Sequence, residues 1–261
     1  MIRGILERMS RGVVLKRTLH TPVGKRKIFV SPESALRFWK PGKFFTDKML
    51  YTIAQNEVKH GNVIWDIGAN LGQFAFQALA VAGNEGMCLA MEPDVFLVHL
   101  MNKSARLNQD LKLDVLPAAV SNKTGMTFLN IANRSRSANY LLDSKGSTQT
   151  GGSRYTQACA TVDLNFLLDN YAHPQFVKID VEGAEGLIFQ GAERLLTEVR
   201  PKILCEVFDY SAEFIADKLK QSDYILLDAA TYEEVDFAPN NVLAIPNESY
   251  TDRYVKKPSQ T

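Results

Sequence analysis

VIWDIGANLGQFAFQALAVAG, Val63 to Gly83, decides the reading of this chain. A short apolar run, Val63 to Trp65, closes on the carboxylate of Asp66. A glycine-punctuated turn follows, and then Phe74, Ala75, Ala78, Leu79 and Ala82 recur at helical spacing until Gly83 stops them. The pattern predicts a strand, a tight loop and a helix, the unit that holds a nucleotide-like ligand at the end of a sheet. Gly68 allows a turn with no side chain in the way, Gly72 lets the helix pack close to the strand, and Asn70 is placed to cap the helix.

The charge in this loop separates two ligand classes. A dinucleotide lays its pyrophosphate over the helix N-terminus, and its G-x-G-x-x-G fingerprint carries no acid facing the phosphates. Here the spacing is D-x-G-x-N-x-G. A carboxylate at Asp66 disfavours a pyrophosphate and favours a ligand bearing an ammonium and a sulfonium, which describes S-adenosylmethionine. MCLAMEP, Met87 to Pro93, reads as the next strand with Glu92 at its end, where an acid accepts from both ribose hydroxyls. A nicotinamide-dependent oxidoreductase shares Glu92 but fails on Asp66 and on the glycine spacing.

Composition fits one domain of this kind. The chain has 261 residues, 46% hydrophobic, with a net charge of +1, which predicts no bulk attraction to nucleic acid. Cys88, Cys159 and Cys205 show no paired spacing and read as reduced core thiols, which favours the cytoplasm. No run approaches the roughly 18 apolar residues of a membrane span. Residues 1–45 read as a basic arm and lead-in, and 46–261 as the catalytic domain. Within Met1 to Lys27, eight cations (Arg3, Arg8, Arg11, Lys16, Arg17, Lys25, Arg26 and Lys27) face one acid, Glu7. A solvated arm is the plain reading; an organelle presequence or a weak contact with an acidic membrane surface are the sharper ones.

Downstream, Val95 to Leu107 predicts a second helix, and Asp114 to Val120 a third strand ending near Ser121, a position that commonly lies beside an adenine. Asn130 to Thr156 is polar and glycine-rich, and Ser135 to Arg154 within it reads as a substrate lid or a plain surface loop. FVKIDVEGAEGLIFQGAERLL, Phe176 to Leu196, repeats the strand, acid and helix pattern with Asp180 and Glu182 at the turn. KILCEVF then closes on Glu206. Acids thus end successive strands at the edge where open α/β sheets bind ligands. Lys178 lies on the same strand as Asp180. His60 and His173 precede strands, His99 sits in a helical pattern and His20 in the arm, so carboxylates are the expected proton acceptors: Asp180 and Glu182 first, Glu206 next. They act either directly or by holding a divalent ion.

DIGANLG, the later EP, AAVS, the TVD at Thr161 to Asp163, and above all KIDVEGAE followed by RPKILCEV resemble the FkbM family of S-adenosylmethionine-dependent methyltransferases, over roughly Asn56 to Phe208. The resemblance implies a Rossmann-like α/β fold: a seven-stranded, mostly parallel sheet with an antiparallel last strand and helices on both faces. It also implies O-methylation of a hydroxyl on a sugar, a polyketide or another small metabolite. Tyr224 to Leu227 and Val242 to Ile245 fit the closing antiparallel pair. A non-catalytic module that kept the pocket is the competing reading; retention of Asp180 and Glu182 speaks against it.

Overall fold

A computed structural model describes residues 2–40, 46–144, 146, 150–238, 240–251 and 254. Helix α1 (Ile2–Met9) leads into a hairpin of β1 (Leu15–Thr21) and β2 (Gly24–Val30), then a single helical turn, Leu36–Trp39. Next come α2 (Lys48–Glu57), β3 (Val63–Ile67), α3 (Gln73–Ala82), β4 (Met87–Met91), α4 (Val95–Ala105) and β5 (Lys112–Leu116). An inserted group follows: β6 (Ala118–Val120), β7 (Gly125–Ala132), β8 (Tyr140–Leu141) and β9 (Ser153–Val162). The chain ends with α5 (Leu164–Asn170), β10 (Phe176–Ile179), α6 (Glu185–Gln190), β11 (Lys202–Glu206), α7 (Asp209–Gln221), β12 (Tyr224–Asp228) and β13 (Asn241–Pro246).

The main sheet has seven strands in the order β12-β13-β11-β10-β3-β4-β5. From β11 to β5 all neighbours are parallel, and β13 runs antiparallel to both β11 and β12. The expected Rossmann-like sheet with a reversed last strand is therefore present. Both faces are covered, which is why these strands read as apolar runs rather than as alternation. Ile64, Phe176 and Leu204 face the layer that contains Phe74, Leu79 and Leu100. Trp65, Ile67, Val177 and Ile203 face the layer that contains Ile188, Phe189 and Ile215. Strand order reverses between β3 and β10, so a crevice opens at their carboxyl ends.

Three segments depart from expectation. The basic stretch is not a free arm: Leu19, Ile28 and Val30 are fully buried in the first layer, and the Phe29 N–H donates to Ser104 Oγ at 2.8 Å. Its lysines and arginines hide alternate apolar positions that pack on distant helices, β1 against α3 and β2 against α4. The third strand is split at Pro117, where β5 ends in the main sheet and β6 begins in another; proline has no N–H for a ladder. Both ends of Asn130 to Thr156 are paired, because β7 and β9 form a long antiparallel ladder in a four-stranded sheet ordered β6-β9-β7-β8, while the stretch between them is loop apart from the single turn Arg136–Ala138 and the short β8. Residues 145 and 147–149 of the expected lid lie outside the described residues.

Candidate active site

A cavity of about 520 Å³ opens at the reversal point of the sheet. The loop after β3 forms its floor. Gly68 adopts φ 74°, and a Cβ there would collide with the carbonyl of Asp180, so only glycine lets the loops after β3 and β10 approach this closely. The Gly68 and Ala69 N–H groups donate to Met91 O at 2.9 and 3.0 Å, tying the loop to β4. Glu92 follows β4 and lines the cavity; its Oε2 accepts from Asn70 N–H and its Oε1 from Asp94 N–H, both at 2.9 Å. Burial pushes the Glu92 carboxyl up to about 8 against these two donors.

Around the β10 end, Lys178, Asp180, Glu182 and Glu206 line the same cavity. Lys178 Nζ lies 3.2 Å from Asp180 Oδ2 and 3.4 Å from Asp66 Oδ1. Burial alone would lower the lysine, but Asp180 and Asp66 hold it above the usual range, so it stays cationic. Burial, followed by the charge of Asp180 and a hydrogen bond to it, pushes Glu206 up to about 9. Burial, then Asp180 and Glu185, pushes Glu182 up to about 8. Glu182 occupies a left-handed backbone conformation, φ 53°. Buried Glu185 holds that turn: its Oε1 accepts from Val181 N–H at 3.3 Å and Gly183 N–H at 3.1 Å. Tyr210 donates to the Gly183 carbonyl from outside.

The sequence over residues 66–232 matches the Methyltransferase FkbM domain. The chain belongs to the FkbM methyltransferase family. No curated protein sequence matches it. Similar solved structures include an FkbM methyltransferase from Methylobacillus flagellatus, 16% identical with a TM-score of 0.48, covering 70% of this chain and 43% of that one. A SAM-dependent methyltransferase from Aquifex aeolicus is 10% identical with a TM-score of 0.45, covering 83% and 99% of the two chains. Aeropyrum pernix fibrillarin with natively bound S-adenosyl-L-methionine is 10% identical, also with a TM-score of 0.45, covering 90% and 84%. The chain thus spans less than half the length of the Methylobacillus relative.

Within this FkbM domain the sites expected from sequence divide into three groups. Gly68, Asn70, Glu92, Asp180, Glu182 and Glu206 line the cavity. Asp66, expected to face the ligand, does not. It is fully buried beneath the floor, where Oδ2 accepts from Ala75 N–H at 3.1 Å and so caps α3. Burial raises its carboxyl and Lys178 opposes that shift. Asn70 consequently does not cap the helix; its Oδ1 accepts from Ser34 Oγ at 2.7 Å, and Gly72 begins α3 without a side-chain cap. Ser121 lies just past the cavity wall, which is built by Ala118 to Val120 instead, and its N–H is bound to Val162 O. The split of the strand at Pro117 is the reason.

The opposite wall was not legible in the sequence. Arg136, inside the expected lid, is buried: Nε bonds Glu33 Oε1 at 2.8 Å, Nη1 bonds Asp94 Oδ2 at 2.6 Å and Nη2 donates to Tyr155 Oη at 3.1 Å. Asn139 also donates to Asp94. Burial alone would raise Glu33, but the N–H of Gly12 and the guanidinium groups of Arg154 and Arg136 bring it below the usual range. This network joins the N-terminal segment, the turn after β4 and the insertion, and it pins Ser135 to Asn139 against the cavity. Asp94 alone carried a local signal, as an N-cap residue before an apolar helix; it accepts from Phe96 N–H at 2.9 Å.

The residues present fit S-adenosylmethionine. The cavity volume is in the range of cofactor pockets, roughly 300–1,000 Å³. Glu92 presents a buried carboxylate at the end of the second strand of the sheet, and the acids around Lys178 outnumber it, which favours a cationic ligand. No histidine lines the cavity. Among the described residues, no three His, Cys, Asp or Glu side chains are grouped so as to hold a metal ion.

Proposed function

We propose that this chain methylates a hydroxyl of a small metabolite or saccharide, with S-adenosylmethionine as donor and a carboxylate as the proton acceptor. The observation that carries the reading is the convergence of Glu92 with Asp180, Glu182 and Glu206 in one cavity that contains no histidine. When bound, S-adenosylmethionine supplies a methyl group on a sulfonium. Glu92 would accept from the ribose hydroxyls, using lone pairs left over from Asn70 and Asp94. The acid surplus around Lys178 favours the positive charge of the donor. Asp66 contributes from below, by capping α3 and by fixing Lys178.

The proton has a defined place to go. Lys178 pairs with Asp180, and Glu206 shares a proton with Asp180 through their hydrogen bond. Glu182 and Glu206, raised to about 8 and about 9, are closer to working pH than ordinary carboxylates, which suits a general base. Ionised Glu206 or Glu182 would take the acceptor's proton as oxygen attacks in line, a direct route in which the carboxylates need no divalent ion. The near-neutral total charge argues against a nucleic-acid acceptor, and three buried, unpaired thiols accord with a cytoplasmic setting. No described helix is long and apolar enough to cross a membrane.

Isothermal calorimetry tests the reading. S-adenosylhomocysteine should bind with a dissociation constant on the order of micromolar, and NAD far more weakly. Tight NAD binding with no response to S-adenosylhomocysteine would overturn it. Turnover that a chelator abolishes and magnesium or manganese restores would replace the direct base with a metal route.

A further inference from the structure

S-adenosylmethionine carries a carboxylate as well as its sulfonium and ammonium, and an acid-rich cavity has to meet that negative charge with a cation. Among the described residues three cations line the cavity: Arg37, Arg136 and Lys178. Two of them are already engaged. Lys178 is held between Asp66 and Asp180, and the three nitrogens of the Arg136 guanidinium are bound by Glu33, Asp94 and Tyr155. Arg37 differs. Its ion pair among the described residues is Nη1 to Asp47 Oδ2 at 3.7 Å, longer than a hydrogen bond, and 47% of its side chain is exposed.

The course of α2 fixes which half of the cavity Arg37 and Asp47 occupy. Asp47 caps the start of α2, where its Oδ1 accepts from the N–H groups of Met49 and Leu50 at 3.0 and 3.2 Å. At the other end of α2, Glu57 Oε2 pairs with the Nζ of Lys202, the first residue of β11, at 2.8 Å. The 10 residues of α2 rise about 15 Å and the 5 residues of β11 about 16 Å, so the start of the helix comes level with the end of the strand. Leu204 and Glu206 of β11 accordingly line the same cavity as Asp47 and Arg37. Glu92 follows β4, on the far side of β10 and β3. A ligand whose ribose meets Glu92 therefore crosses the reversal point of the sheet with its amino-acid end toward Arg37.

We propose that Arg37 receives the carboxylate of S-adenosylmethionine, which makes the segment before α2, outside the matched residues 66–232, part of the cofactor site. The inference rests on S-adenosylmethionine being the ligand of the cavity. A guanidinium presents two parallel donors to a carboxylate, and the long contact with Asp47 leaves those donors available. The carboxylate of the ligand would otherwise stand among Asp180, Glu182 and Glu206 without a cation of its own.

Calorimetry with two ligands tests it: S-adenosylhomocysteine, and its decarboxylated analogue S-adenosyl-3-thiopropylamine, which keeps the ammonium and lacks the carboxylate. Wild type should bind S-adenosylhomocysteine roughly tenfold or more tighter than the analogue, as expected for a hydrogen bond between charged groups. Arg37→Ala, its folding verified by thermal unfolding, should weaken S-adenosylhomocysteine by roughly tenfold or more and change the analogue by less than about twofold. Equal affinity of the wild type for the two ligands would overturn the proposal. So would unchanged binding of S-adenosylhomocysteine by folded Arg37→Ala, and so would an equal loss for both ligands, which would mean that Arg37 shapes the wall and does not meet the carboxylate. Wild-type chain that binds neither ligand would instead overturn the S-adenosylmethionine reading itself, and the role of Arg37 with it.

Discussion

Replacing Glu92 with alanine tests the cavity and the fold together. In the structure its two oxygens are acceptors for the buried N–H groups of Asn70 and Asp94, each at 2.9 Å. Removing the carboxylate leaves both donors without a partner, and an unsatisfied buried donor costs about 1–3 kcal/mol. Water entering from the adjoining cavity offsets part of this, so unfolding in urea should show a loss of about 2–3 kcal/mol. Loss of two charge-assisted bonds to ribose hydroxyls should weaken S-adenosylhomocysteine by about 2–4 kcal/mol, roughly 30- to 1,000-fold by calorimetry. The pH dependence is distinctive. Because the folded-state value is raised from about 4.5 to about 8, the ligand-free fold has its full contribution from Glu92 below pH 4.5 and loses it as pH rises through about 8. Ligand affinity runs the other way, rising as the carboxylate ionises. A variant with wild-type stability and wild-type affinity would show that Glu92 neither holds the loop nor meets the ligand, and the reasoning would fail.

The remaining predictions concern the acids and the opposite wall. Turnover should rise with pH along a single acidic limb at about 8 to 9, set by Glu182 and Glu206, and Glu206→Gln should lower kcat and alter that limb while leaving S-adenosylhomocysteine binding within a few-fold; an unshifted limb with normal kcat removes Glu206 from the chemistry. Lys178→Met strips the cation from between Asp66 and Asp180, and breaking a buried pair in this way costs about 3–5 kcal/mol, measured by urea unfolding at neutral pH; a loss below about 1 kcal/mol would show that the pair is solvated. Arg136→Leu should cost about 3 kcal/mol and speed hydrogen exchange through Ser135 to Asn139, because Asp94 and Glu33 lose a shared partner. Exchange in that segment that is already fast in the wild type would restore the mobile-lid reading.

The order of strands and helices was legible from the chain alone because each βα unit is local. An apolar run, an acid, a glycine turn and a helical stripe occupy about twenty consecutive residues; Asp66 and Asp180 follow that grammar, and Glu92 follows it with Pro93 and Asp94 in place of the glycine turn. The carboxyl-edge position of Glu92, Asp180, Glu182 and Glu206 followed from the same periodicity. Tertiary structure decided what each acid does. Asp66 and Asp180 look alike in sequence, yet one caps a helix in the dry interior and the other faces the cavity, because the strand register sets Asp66 level with Lys178 inside the sheet and Asp180 two positions further on, past the strand end. The burial of Arg136 between Glu33 and Asp94 joins residues 103 and 42 positions away, and no local pattern encodes a contact across such separations. The N-terminal hairpin and the ladder between β7 and β9 were hidden for the same reason: their polar composition describes the solvent face, whereas Leu19, Ile28, Leu129 and Ile131 are apolar positions whose partners only the fold supplies.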